Sequence, residues 1–384
     1  MKDNKIYWLV FIVVVVAFVG FSFIWLRKPS PPSPTPPLPP PVQKGNLEFV
    51  GKISGGGSPN FLKGVSSVHI AGNYAFTASL QDSALSVFDI SDPSHPKLVK
   101  VLKGAGAPYY LGGADSVFVS GNRAYVASYL DDALTIFDVS DPENPKHLGV
   151  ISGAGSPNYL DGANSVCVVK NIAYVAAFDD KALTLIDVSD PSNPKYLGSV
   201  AGKASPYLDG ASSVAVSHNH AYVATAGDDA LSVSDVSDPT HPKHVGTARG
   251  AGYPNYLDGA TSVFVSGNKA YVASMYDNSL TIFDVSDPTA PLFLGNVHGA
   301  GSPYFLGGAS SVFVSGKYAY VASAKDSALS VFDISNPKKP TLVDSIQGRG
   351  APYYLGGAWS VYVSGPYVYV AGFEDSSLSV FELK

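Results

Sequence analysis

One acidic position recurs along this 384-residue chain at a nearly fixed interval. It falls at Asp89, Asp138, Asp187, Asp235, Asp284, Asp333 and Glu382, spacings of 49, 49, 48, 49, 49 and 49 residues. The sequence around each copy breaks into four short runs. In Ser262 to Val297 these are SVFVS, AYVAS, SLTIFDV and LFLGNV, parted by Gly267-Asn268, Asp277-Asn278 and Asp287-Pro288. Runs rich in Val, Ile, Phe, Tyr and Thr, bounded by Gly, Pro, Asn and Asp, are the pattern of half-buried antiparallel strands. A four-strand unit repeated at such a period predicts a β-propeller blade.

Naming the four runs a, b, c and d gives the architecture. Strand a occurs seven times, from Ser67 to Ser360, and so does strand c, whose last copy is Ser377 to Leu383 with no d run after it. The missing partner stands at the other end, where LEFVGKIS (Leu47 to Ser54) resembles LGVIS (Leu148 to Ser152) and precedes the first strand a. The N-terminal strand is therefore expected to complete the last blade, closing an all-β, seven-bladed propeller over residues 46–384 and leaving no open array edge. Within Leu280 to Asp284, Leu280 and Ile282 point one way, Thr281 and Phe283 the other. Both faces are partly apolar, as blades covered on both sides require. Ser234 replaces the aromatic or Ile found there in most units, which predicts one weakened contact between blades.

Residues 1–6 are a short flank, and Tyr7 to Leu26 are twenty apolar or near-apolar residues without a charge. That is the length of a helix crossing about 30 Å of hydrocarbon, with Tyr7, Trp8 and Trp25 at the two interfaces. A cleaved signal peptide is the rival; its apolar core is shorter and ends in small residues, which are missing before Arg27-Lys28. Lys2 and Lys5 on one side against Arg27 and Lys28 on the other barely fix the orientation. Residues 27–45 hold nine prolines between Pro29 and Pro41. They read as a stiff polyproline II spacer about 40 Å long, at ~3.1 Å per residue. A rigid stalk under a low-charge domain favours a single-pass cell-membrane protein with an extracellular propeller. Docking of proline-binding modules is the other reading, and it needs the cytoplasmic side.

Charged residues are 15% of the chain and its net charge is −6, so the basic footprint that nucleic acid demands is missing. The single cysteine, Cys167, excludes an internal disulfide and a Cys-based zinc site. Within SVCVV it reads as a small buried hydrophobe.

The strand-c motif is LSVFDISDP at Leu85 to Pro93, LTIFDVSDP at Leu134 to Pro142 and LTLIDVSDP at Leu183 to Pro191. With the preceding AYVA it resembles the LVIVD-repeat family over all seven units, departing mildly at Ser234 and Glu382. The resemblance implies a β-propeller on a prokaryotic surface or exported protein. It carries no catalytic motif over.

With this strand order, the b–c and d–a loops share one face, and the a–b and c–d turns the other. Every b–c loop carries an aspartate: Asp82, Asp131, Asp180, Asp228, Asp277, Asp326 and Asp375. Every d–a loop carries an aromatic: Phe61, Tyr110, Tyr159, Tyr207, Tyr256, Phe305 and Tyr354. Two readings stand for these rings. They form a recognition surface, aromatic faces stacking on sugars and carboxylates accepting from hydroxyls; or each Asp bonds the N–H groups of its own turn and each aromatic fills the space between blades. Presence in all seven units favours structure, since one ligand rarely needs seven identical contacts.

Broken symmetry is the better guide to a unique site. Asp161, Asp209 and Asp258 stand where other loops carry Gly112, Gly307, Gly356 or Lys63, and Asp132, Asp179 and Asp229 are extra acids nearby. Clustered carboxylates suit a cation such as Ca²⁺, although no contiguous DxDxDG loop appears and Asp-Gly is an ordinary turn pair. Trp359 opens the last strand a, where other units have Ser, Thr, Asn or Asp, and is expected at the mouth of the channel. The DxSDP segment reads as turn chemistry. The eight histidines are scattered, with no nucleophile elbow, phosphate loop or HExxH. Two functions are carried forward: a binding or scaffold module for a protein or glycan, without chemistry and without a cofactor, and an enzyme using the acidic loop face.

Overall fold

A computed structural model describes residues 47–201 and 207–384. The expected membrane-spanning helix at 7–26 and the proline-rich stretch lie outside the described residues; among the described residues no helix is long and apolar enough to cross a membrane. The 28 strands of the described residues assemble into seven four-stranded antiparallel sheets, the blades of a propeller. Blade 2 is typical: strand a is Ala114–Ser120, b Arg123–Ser128, c Ala133–Asp138 and d Lys146–Ser152. The blades follow the chain, each adding its four strands in order, except the last. Blade 7 takes strands a Ala358–Ser364, b Tyr367–Gly372 and c Ser377–Leu383 from the C-terminus, and Leu47–Ser54 as strand d. Leu47 pairs with Leu383 and Ser54 with Ser377, closing the ring as expected.

The alternation along strand c decides the packing. Leu280 and Ile282 join one apolar cluster with Val312, Val321 and Phe332 of blade 6. Phe283, on the other face, joins a second with Tyr222, Leu231 and Val233 of blade 4. Each blade is thus sandwiched, and strand c is fully buried through its first five residues in all seven. Phe88, Phe137, Phe283, Phe332 and Phe381 are completely buried, each stabilising the fold by roughly 2–3 kcal/mol on removal from water. At the same place in blade 4, Ser234 is also fully buried and its hydroxyl has no partner. Close fit between blades also dictates Gly149 in strand d: a Cβ there would stand 2.4 Å from the Pro191 carbonyl of the next blade's c–d turn.

The repeat pattern did not foretell a bulge in every strand a. In blade 2 the register slips between Ala114 and Ser116. The slip leaves Ser67, Ser116, Ser165, Ser213, Ser262, Ser311 and Ser360 each beside the next blade. Each hydroxyl oxygen accepts the N–H of the valine one place further along the neighbouring strand a, from Val68 through Val361, at 3.2–3.4 Å. These seven bonds run once around the axis and tie each blade to the next.

Candidate functional site on the loop face

The b–c aspartates face the d–a loop of their own blade. Asp131 Oδ2 accepts the N–H groups of Gly106 at 2.8 Å and Gly112 at 2.7 Å. Asp180 holds Gly155 and Asp161 in the same way, and Asp277 holds Gly252 and Asp258. Asp228 accepts from Asp209 N–H at 2.7 Å. The donors are not in the aspartate's own turn, as expected from sequence, but 25 and 19 residues upstream. Each carboxylate is a clamp, charge-assisted and therefore roughly twice as strong as a neutral bond.

The clamped loop explains the aromatic ring. Tyr110, Tyr159, Tyr207, Tyr256 and Tyr354 are half-buried, and all sit at positive φ, from 47° at Tyr159 to 66° at Tyr207. A non-glycine residue there costs ~1 kcal/mol or more and persists only where its surroundings fix it. A buried hydroxyl beneath supplies part of that fixing: Thr184 donates to Tyr159 O at 2.8 Å and Ser377 to Tyr354 O at 2.7 Å. Several rings are also covered by the chain's own cations. Lys52 Nζ lies 3.9 Å over Tyr354, Lys103 Nζ 4.2 Å over Phe61, and Arg249 5.0 Å over Tyr207. Tyr256 stacks on His298 instead, ring centroids 4.4 Å apart. Among the described residues, six cis X-Pro bonds fall in these same loops.

The acidic positions that break the symmetry are taken up by separate partners. Asp132 Oδ1 accepts Gly162 N–H at 3.2 Å and Asp229 Oδ1 accepts Gly259 N–H at 3.0 Å, each bridging to the next blade. Asp209 pairs with Lys181 Nζ at 2.7 Å. Asp161 and Asp258 are clamped through their N–H groups, one blade apart on either side of Asp209. Among the described residues no three His, Cys, Asp or Glu side chains stand together as a metal set.

Asp179 belongs to a group that sequence reasoning did not assemble. Tyr129, the first b–c loop residue of blade 2, donates its hydroxyl to Asp179 Oδ2 of blade 3 at 2.7 Å. Burial, that bond, and the charges of Asp179, Asp115 and Asp161 all push the Tyr129 phenol up. Asp115, at the bulge of strand a, has its carboxyl pushed up to about 7 by burial, against the opposing Ser66 hydroxyl. The signal was in the repeats: other blades carry Ser, Thr, Asn or Trp at 115, and Leu, Phe, Ala or Met at 129. Trp359 occupies the blade 7 counterpart of Asp115, half-buried, its ring 5.6 Å from Phe373.

Along the axis, five consecutive blades present rings in contact: Phe264, Phe313, Tyr362, His69 and Phe118, centroids 4.7–4.9 Å apart. Burial among them lowers His69 to about 4, keeping it neutral. Blades 3 and 4 put Cys167 and Ala215 at the same level, and burial raises the Cys167 thiol to about 11, which makes it inert. On the opposite face the c–d turns cap themselves. Asp138 Oδ1 accepts Ser140 N–H at 2.8 Å, and the Thr240 hydroxyl and backbone with His241 hold Asp238 down at about 2. His95 and His241 each contact the aspartate three residues before, at 3.1 Å, on exposed turns.

Known structures share this architecture. The β-propeller domain of Cps50 (Swd1) from Myceliophteria thermophila superposes with a TM-score of 0.64 at 13% identity, over 88% of this chain and 100% of that one. A functionally unknown protein from Desulfotomaculum acetoxidans gives 0.62 at 16% identity, over 81% and 92%. Virginiamycin B lyase from Staphylococcus aureus gives 0.64 at 5% identity, over 88% and 100%. At these identities the likeness is one of fold alone. No curated protein matches the chain. The LVIVD repeat model matches residues 64–102, 111–150, 162–202, 210–249, 259–298, 306–347 and 355–380, one stretch in each blade and more than half the chain in sum. The chain belongs to the LVIVD-repeat family.

Proposed function

We propose that this protein is a binding or scaffold module without chemistry of its own, carried on a membrane by residues 7–26 and displayed outside the cell, with the loop face as its working surface and a protein or glycan as its partner. One observation carries the reading. The chain enters the propeller at Leu47, which pairs with Leu383 beside the turn face, and the strand runs up to Ser54 at the loop face. The chain therefore reaches the propeller at the turn face, the face opposite the loops. The side chains that depart from the repeat on that face, Asp115, Tyr129, Tyr253 and Tyr276 among them, support recognition there.

Two measurements test this with the full chain. Trypsin added to intact cells should cut between Arg27 and Lys44 and release the propeller; protection until the cells are opened would reverse the orientation. In mild detergent, a thermal-shift screen against saccharides and against divalent cations with chelator controls should find a ligand that raises the midpoint by mass action, ~2.7 kcal/mol at a hundredfold excess over Kd. A chelator-sensitive shift with calcium would bring the acidic positions Asp161, Asp209 and Asp258 into the site.

A second reading rests on Asp115. A carboxyl titrating near neutrality beside the Tyr129–Asp179 pair has the protonation an acid–base catalyst needs. Turnover of any hydrolysable substrate that disappears in Asp115→Asn would favour it over pure binding.

A further inference from the structure

Blade 5 departs from its six companions on the loop face in a coordinated way. At the place of Tyr253 the other blades carry Ser58, Ala107, Ser156, Ser205, Ser302 and Ala351, so nothing in the fold requires a ring there. Tyr253 is nonetheless 84% exposed, more than any other large apolar side chain described. At the place of Tyr276, 53% exposed, the others carry Gln81, Leu130, Asp179, Gly227, Lys325 and Glu374. The two tyrosines flank a single clamp. Gly252, just before Tyr253, donates its N–H to Asp277, just after Tyr276, and Asp277 also holds Asp258.

The surroundings of both rings are built. Tyr253 stands edge-on to Tyr256, centroids 6.5 Å apart at 88°, and Tyr256 is stacked on His298. The flank of Tyr276 lies over Gly259, where a Cβ would come within 2.5 Å of its Cδ2. Gly259, left-handed like its counterpart in every blade, leaves the room that this flank occupies. Lys325 Nζ sits 5.2 Å from the Tyr276 centroid. Burial lowers the Lys325 ammonium while the charges of Asp258 and Asp326 hold it up.

We propose that Tyr253 and Tyr276, with Asp258 and Lys325 beside them, form a single binding site for a neutral saccharide. The inference rests on the binding-module reading and narrows its ligand. A cationic ligand would meet the Lys325 ammonium at the same ring, and an anionic one would meet Asp258 and Asp277. A sugar unit instead offers an apolar C–H face to each tyrosine and hydroxyls that accept from Lys325 and donate to Asp258. Two rings and one polar pair also fall far short of the ~800 Å² per partner of a standard protein interface. The site is one per molecule, not one per blade, because blade 5 alone carries tyrosine at both places.

The test is a glycan array with the full chain, followed by calorimetric titration with cellohexaose, chitohexaose and mannohexaose. At least one neutral oligosaccharide should bind, with Tyr253→Ala and Tyr276→Ala each weakening it about tenfold or more. Tyr253→Phe and Tyr110→Ala should stay within about threefold of the parent. Circular dichroism melts confirm that each variant is folded. Binding that survives both alanine changes but fails in Tyr129→Phe would overturn the blade 5 site and leave the binding-module reading standing. No neutral glycan bound, with a protein cross-linking to the loop face, would overturn the saccharide and leave the module. No ligand of any kind on that face would end both.

Discussion

Blades 2 and 5 build their loop faces from the same parts and use them differently. In each, an aspartate, Asp131 or Asp277, pins the loop ahead of its own strand a through two N–H groups, and a tyrosine at positive φ, Tyr110 or Tyr256, follows. Blade 2 then carries Ala107, Leu130 and Ser152 where blade 5 carries Tyr253, Tyr276 and His298. The shared residues are spent on the loop itself, and only the deviations remain to meet something else. Residues present in every blade are thus a guide to architecture, and residues present in one are a guide to recognition.

The largest expected effect lies in the shared part. Asp131→Ala and Asp277→Ala should each cost about 3 kcal/mol in urea unfolding, two charge-assisted bonds apiece. A clear difference between them would break the equivalence of the two blades. Next comes pH. Folded Asp115 keeps its proton up to about pH 7, whereas an unfolded aspartate releases it near ~4. Its contribution to stability is fully present below ~4 and is lost as pH rises through 7. The turn-face aspartates run the other way. Asp238, held at about 2, contributes above ~4 and loses that contribution as pH falls toward 2. Asp115→Asn should flatten the fall between about pH 4 and 7; an unchanged slope would assign the proton to another group. Ser165→Ala, which removes the acceptor of Val214 N–H, should cost about 1 kcal/mol, and the same change at Ser213 as much. The smallest effect sharpens the comparison most. Tyr253→Ser restores the residue of other blades and should shift stability by less than about 0.5 kcal/mol, so a larger loss would make that ring structural.

Periodicity carried the fold because each unit repeats the same local chemistry. The boundaries of the closing strand, Leu47–Ser54, could be read by likeness to Leu148–Ser152. Ser234 also stood out, and its hydroxyl is buried without a hydrogen-bond partner. What stayed hidden depends on partners distant in sequence. Asp131 takes donors from 25 and 19 residues away, and Ser67 accepts from a strand 50 residues on. The strand-a bulge shifts register by one place, which alternation alone cannot signal. At the site, attention to repeated aromatics passed over Tyr253 and Tyr276, because a position that is Ser or Ala in other blades looks like mere turn filler. The cluster of Asp115, Tyr129 and Asp179 was equally out of reach, as it joins two blades through side chains.

The manner of closure also determines how the molecule bears tension. Strand Leu47–Ser54 is the outermost of blade 7 and lies along Ser377–Leu383 over its whole length. A pull arriving at Leu47 from the turn-face side draws the strand along its own axis. All its ladder bonds then share the load in shear, instead of parting one after another as they would if the strand were peeled sideways. The joint between first and last residues of the ring is therefore its mechanical anchor point, and its strength rests on the pairs from Leu47–Leu383 to Ser54–Ser377 acting together.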